Sequence, residues 1–339
     1  MHRQWNFLGK KSQLTDWLCD EIILPLHPNR IADVCSGTCS ISRGLAARGL
    51  TVWSNDVMVW CTILARAYLL ATPDEWDQVS AWVSKPRPIT PGFIHATYTP
   101  AGGRMYFTEA NGAAIDTIRQ DIDQTFGNTE VSNVALTVLL HASMLVANTA
   151  GQFRAFLKEF KSSALAPLQL DVAKVGSANP THPTLPHIVT CHDLFDIVEK
   201  VAVWADVIYM DPPYCCRHYP KYYHVLETIA KNDAPLVEGR TGCRADAKGS
   251  RLGYKKEAKK AFREFVDRIL QTPERQATHL VVSYSTDGLL SEQEMHEALS
   301  LGGRLNLQIY RHPHPKYQAR TGSRTYTEEL AFVLQFSGY

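Results

Sequence analysis

No run in this 339-residue chain approaches the roughly 18 consecutive apolar residues that a membrane-spanning helix requires. The opening segment MHRQWNFLGKK has no apolar core of the kind a secretory leader carries, so a chain that stays in the cytosol is expected. Eight cysteines are present, but no CxxC pair and no second ligand cluster at zinc spacing accompany them. Cys35 with Cys39, and Cys215 with Cys216, therefore read as reduced thiols rather than as a metal centre or a disulfide, and no metal is expected. The fingerprint GxGxxG is missing, which removes a nicotinamide dehydrogenase. Internal repeats and low-complexity tracts are also absent.

The chain has little net charge, +1, and this conceals an uneven distribution. Arg240 to Arg263 holds nine Lys/Arg against Asp246 and Glu257, and Arg311 to Arg324 holds four with no acid, so the remainder is strongly acidic. Two concentrated basic segments on a near-neutral protein suit a polyanion. The segment GYKKEAKKAFREF reads equally well as the solvated face of an amphipathic helix.

What is present is an alternation of helices and short strands. SQLTDWLCDEIILPL places Leu14, Trp17, Leu18 and Ile22 at helical intervals. RIADV is a buried strand, CSGTCS a small-residue turn, ISRGLAARG a helix, and LTVWSND a second strand ending at an acid. That order makes a βαβ unit with a parallel sheet. WCTILARAYLLA and NVALTVLLHASMLVANTA break the rhythm with strong helices, and the proline-rich stretches KPRPITPGF and GSANPTHPTLP read as loops. From about residue 187 the pattern returns: strands HIVTC, DVIYMD and HLVVSYS, helices DLFDIVEKV, 256–271 and EQEMHEAL, and two closing strands, LNLQIYR and ELAFVLQF. The expected fold is α/β: a Rossmann-like domain with a mixed, mostly parallel sheet over 1–70 and 187–339, interrupted by a mainly helical insertion at 71–186.

In an open parallel sheet, ligands bind beyond the carboxyl ends of the strands. Acids or small-residue turns fall at four such ends: DVCSGT (33–38), SND (54–56), CHD (191–193) and DPPY (211–214). Asp56 follows the second strand, where an acid commonly takes the ribose hydroxyls of a nucleoside; a helix N-cap is its other reading. After DVIYM, the prolines end the strand and leave a stiff loop with a carboxylate, bare carbonyls and a ring, which suits a flat, amino-bearing base.

NFLGKKSQL (6–14), DVCSGTCS, SND, CHD, DPPY and LVVSYS (280–285) occur in an order that resembles the Dam-like class of DNA adenine-N6 methyltransferases, which use S-adenosylmethionine. The similarity covers about 1–70 and 187–339. It implies that Phe7, Gly9 and Lys11 pack against the methionine part of the cofactor, with Lys11, or its neighbour Lys10, meeting the carboxylate. It implies that Asp33 and Gly37 form the cofactor-binding turn, that Asp56 takes the ribose and that Asp193 meets the adenine. The chain departs from the pattern where Cys39 replaces a second glycine, and where Val34 and Cys35 replace a Pro-Phe pair.

An exocyclic amine on adenine is a poor nucleophile because its lone pair is delocalised into the ring. Asp211 and the Pro212 carbonyl can accept its N–H groups and localise that density, Tyr214 can stack on the base, and Pro213 stiffens the loop. A base in duplex DNA reaches such a pocket only when flipped out. Arg217, His218 and Lys221, then Arg244, Lys255 and Lys256, and Lys316 and Arg320 of the polar hairpin RHPHPKYQARTGSRTYTEEL, are the expected phosphate contacts. Sequence reading falls either to the insertion, which has eight Lys/Arg and ten Asp/Glu over 71–190, or to the segment after DPPY. His224 reads as a core histidine, with a base as the alternative.

The expected activity is therefore site-specific methylation of adenine N6 in double-stranded DNA, in a restriction-modification or related system that allows for a cognate restriction endonuclease. The rival readings are methylation of adenine or guanine in RNA, methylation of cytosine N4 in DNA, and a catalytically idle DNA-binding relative. Asp at 211 favours adenine.

Overall fold

The computed structural model describes residues 5, 11, 13–176, 185–213, 219–317 and 324–336. Nine strands are described: β1 (Arg30–Asp33), β2 (Thr51–Asn55), β3 (Ile188–Thr190), β4 (Val207–Met210), β5 (Val237–Glu238), β6 (Cys243–Arg244), β7 (His279–Ser285), β8 (Asn306–Tyr317) and β9 (Arg324–Gln335). Seven form one sheet in the order β3-β2-β1-β4-β7-β9-β8, and β5 with β6 makes a small separate hairpin. The pairs from β3 to β7 are parallel; β9 runs antiparallel between β7 and β8. This is the mixed, mostly parallel sheet of a Rossmann-like methyltransferase fold.

Successive side chains of each strand feed opposite layers. Ile31, Val52, Val207, Tyr209 and Val281 join one core, and Ala32, Trp53, Ile208, Met210 and Val282 join the other. The second core is closed by helices Val198–Trp204, Lys255–Gln271 and Glu292–Leu299. Phe262 and Phe265 are fully buried there, each contributing about 1.5–3 kcal/mol.

The first core takes in the helices of the middle segment. Thr72 and Glu75 form a capping box, with Pro73 in the first turn, and so start the helix Pro73–Trp82. Thr108 and Thr129 cap the long helices Glu109–Phe126 and Glu130–Leu145. Val131, Val134, Val138 and Ala142 are buried as the periodicity predicts. These helices share one hydrophobic cluster with Val59–Leu69, His224–Lys231 and the sheet, so residues 73–145 build the layer on that face.

Two local expectations are corrected. The segment around Trp17 is a π-helix over Trp17–Ile23, followed by a 3-10 turn, rather than one regular helix. The polar hairpin beyond LNLQIYR is paired strand further than expected: β8 and β9 stay paired out to Tyr317 and Arg324. Pro313 and Pro315 are tolerated because β8 is the sheet's outer strand, where alternate N–H groups need no partner.

Candidate active site

The chain lays β1, β2 and β3 to one side and then returns to β4, so the switch point lies between β1 and β4. A cleft opens there at the carboxyl ends of the strands. Asp33, Asp56, Asp193 and Asp211, from four different strand ends, all line it. Gly37, Pro212 and Pro213 line it as well.

Asp33 ends β1 and is buried. The Ser42 hydroxyl donates to its Oδ2 at 2.7 Å, while Oδ1 has no hydrogen-bond partner among the described residues. Burial pushes its carboxyl up to about 7, against the opposing pull of Ser42. In the turn that follows, Gly37 adopts φ 52°, which glycine adopts without strain. The Gly37 N–H donates to Asp56 Oδ2 and the Met58 N–H to Asp56 Oδ1, each at 2.9 Å. Asp56 is thus held by the turn it faces, and burial raises its carboxyl to about 6 despite these bonds. Cys39 also lies in the left-handed region, at φ 63°, where the glycine of the resembling family would stand.

Asn55 joins three strand ends. Its Nδ2 donates to the carbonyls of Val34 and His192, and its Oδ1 accepts from Thr190 Oγ1 and the His192 N–H. Glu227 accepts the N–H groups of Val59 and Trp60, each at 3.1 Å, and so caps the helix that starts beside Asp56. Asp193 is exposed and caps its own 3-10 turn through the Phe195 N–H, 2.9 Å away.

At the end of β4, Lys11 Nζ lies 3.2 Å from Asp211 Oδ1 and is also bonded to Glu329. Ser283 Oγ donates to the same Asp211 oxygen at 3.2 Å and lies 2.9 Å from the Tyr209 hydroxyl. Burial raises the Asp211 carboxyl and Lys11 opposes the rise. Lys11, expected on the cofactor carboxylate, is engaged with these two protein carboxylates. Glu329 and Ser283 were not among the expected site residues. The only signals in the sequence are an acid entering the apolar strand ELAFVLQF and a serine inside LVVSYS.

The remaining expected residues separate into groups. Phe7, Gly9, Lys10, Tyr214, Cys215, Cys216, Arg217, His218 and Arg320 lie outside the described residues, as does the side chain of Lys316. Lys221 is exposed next to the cleft-lining Tyr219 and Pro220, and Lys255 and Lys256 are exposed at the start of their helix. Arg244, expected on DNA, is instead buried. Its guanidinium meets Asp233 at 2.6 Å and Asp246 at 2.9 Å, holding the β5–β6 hairpin to the end of helix His224–Lys231. His224 is a core residue: its Nε2 lies 2.9 Å from the Phe153 carbonyl, and burial lowers it to about 4.

The donor set fits S-adenosylmethionine. The cofactor carries an ammonium and a sulfonium, and Asp33 offers a buried carboxylate oxygen that lacks a partner among the described residues.

A family model for the D12 class of N6 adenine-specific DNA methyltransferases matches residues 7–288. The chain is 28% identical over 334 residues to the type II methyltransferase M.CviAII of Paramecium bursaria Chlorella virus 1, covering 96% of this chain and 97% of that one. It is 27% identical over 347 residues to M.NlaIII of Neisseria lactamica, covering 97% and 99%. Identity to M.FokI of Planomicrobium okeanokoites is 33% over 335 residues, covering 93% of this chain and 50% of that protein.

Proposed function

Because this chain belongs to the D12 class of N6 adenine-specific DNA methyltransferases and methylates adenine N6 in DNA from S-adenosylmethionine, we propose the division of labour among its residues and its place among the Dam-like, DPPY-type enzymes. The RNA and cytosine readings give way to adenine in DNA. No described helix is long and apolar enough to cross a membrane.

One observation carries the proposal: Asp33, Asp56, Asp193 and Asp211, far apart in the chain, line a single cleft with Pro212 and Pro213. S-adenosylmethionine, when bound, supplies a methyl group on an electron-poor sulfonium. Asp33 and the Gly37 turn hold the methionine end, Asp56 the ribose, Asp193 the adenine, and Phe7 and Gly9 complete the wall. Asp211 accepts one N–H of the target amine and the Pro212 carbonyl another, while Tyr214 stacks on the flipped base. Lys11 and Ser283 both engage Asp211 Oδ1, which supports a fixed orientation of this carboxylate toward the cleft. Lys221, Lys255, Lys256, Arg217, His218, Lys316 and Arg320 grip phosphates, and the helical segment 71–186 carries target recognition beside a catalytic unit of 1–70 and 187–339. A cognate restriction endonuclease and a cytosolic setting complete the reading.

The test is methylation-sensitive long-read sequencing of DNA from cells expressing the wild-type chain or Asp211→Ala. The expected result is N6-methyladenine at one motif for the wild type and none for the variant. Methylation that survives Asp211→Ala rejects the assignment of the acceptor.

A further inference from the structure

Two carboxylates share one buried ammonium at the end of β4, and only one of them faces the cleft. Lys11 Nζ contacts Asp211 Oδ1 and Glu329 Oε1; the Lys11 and Glu329 side chains are each 4% exposed, against 19% for Asp211. Asp211 lines the cleft and Glu329 does not. A pair of Lys11 with Asp211 alone would be neutral. Adding Glu329 gives the cluster a net charge of −1 when both acids are ionised, and a second buried carboxylate is costly to the fold. Ala331 and Val333, at the alternate positions further along β9, show that the strand accommodates apolar side chains there.

We propose that Glu329 is a positioning residue for methyl transfer: it anchors Lys11 and shares its charge, so that Asp211 keeps net negative character toward the target amine. This rests on the reading of Asp211 as the acceptor of that amine. As the nitrogen lone pair forms the new N–C bond and the C–S bond breaks with its electrons left on sulfur, positive charge gathers on the nitrogen. A proton leaves the nitrogen afterwards. A cluster carrying −1 stabilises that charge more than a neutral Lys–Asp pair does. Ser283, itself beside the Tyr209 hydroxyl, fixes the orientation of the carboxylate.

Among the described residues, the titratable groups facing this cluster are Lys11 from the N-terminal segment, Asp33 from β1 and Tyr209 with Asp211 from β4. Cys35 after β1 and Glu329 on β9 complete the set, and His312, the register partner of Glu329 on β8, stacks on Trp17. Burial raises Asp211 and Glu329 alike, and Lys11 pulls both back.

The experiment measures single-turnover methyl transfer by the full chain from labelled S-adenosylmethionine to genomic DNA free of adenine methylation, across pH, with cofactor binding followed by calorimetry. Glu329→Gln is expected to lower the plateau rate about 10- to 100-fold with cofactor affinity retained. It also removes a negative neighbour of Asp211, so the acidic limb of the profile should move down by about one pH unit. Lys11→Met should move that limb up, the opposite direction. Glu329→Asp keeps the charge and should retain the rate within about threefold, which also covers the case in which Glu329→Gln fails to fold. Wild-type rate and limb in Glu329→Gln, limb shifts of the same sign in the Gln and Met variants, or a loss in Glu329→Asp as deep as in Glu329→Gln would each overturn the proposal. Asp211→Ala, measured alongside, separates the two levels. If it stays active, the acceptor reading itself fails; if it is inactive while Glu329→Gln behaves as wild type, only the role of Glu329 fails.

Discussion

The amide nitrogen of Gly37 lies 2.9 Å from Oδ2 of Asp56, so the turn after the first strand and the acid after the second are one hydrogen-bonded unit. An L side chain at 37 would have to adopt φ 52°, which only glycine does without cost. Gly37→Val is therefore expected to displace the turn and weaken S-adenosylmethionine binding at least about tenfold, read by calorimetry. Unchanged affinity would show that the turn does not shape the cofactor site.

The pH dependence of cofactor affinity follows from Asp33. Its carboxyl, raised by burial to about 7, binds its proton more tightly folded than unfolded. Its contribution to stability is therefore complete below the ordinary carboxylate range and is lost as pH rises through about 7. A bound cation favours the ionised form. The dissociation constant for S-adenosylmethionine should thus fall as pH rises and level off above about 7, while Asp33→Asn should bind weakly with a flat profile. An unchanged slope in Asp33→Asn would assign the titration to another group.

Glu227 reaches across 167 residues to cap the helix Val59–Leu69 at Trp60. Glu227→Ala strands two backbone donors near Asp56 and is expected to cost about 2 kcal/mol of stability. Thermal unfolding followed by circular dichroism measures it, and a melting temperature equal to wild type would contradict the capping role.

The basic residues divide into structural and ligand-facing sets. Arg244→Ala breaks a pair whose guanidinium is buried and whose acids are half exposed, so a loss of about 1–3 kcal/mol is expected, with no change in the salt dependence of DNA binding. The double variant Lys255→Ala, Lys256→Ala should leave stability unchanged. It should reduce the slope of log affinity against log salt by about 2. Fluorescence anisotropy over a salt series distinguishes the two outcomes.

Cys39 occupies a left-handed position while its side chain is fully buried. In Cys39→Gly, relief of about 1–2 kcal/mol of backbone strain is opposed by lost burial of similar size. Denaturant unfolding should place this variant within about 1 kcal/mol of wild type, and Cys39→Val well below it.

Local signals specified the seven strands of the main sheet short of the outer reach of β8 and β9, the helical break between them and the acids at strand ends, but not the β5–β6 hairpin. Hydrophobic periodicity and proline placement are local signals, and DPPY and the turn at Gly37 are contiguous words. Folding alone sets the relationships across hundreds of residues. Lys11 meets Glu329 rather than standing free for a ligand, Arg244 is consumed by Asp233 and Asp246, and Asn55 binds together the ends of β1, β2 and β3. A charge in a sequence has no partner until the chain folds. Burial and pairing, which set whether a lysine holds a phosphate or a buried carboxylate, depend on which strands become neighbours.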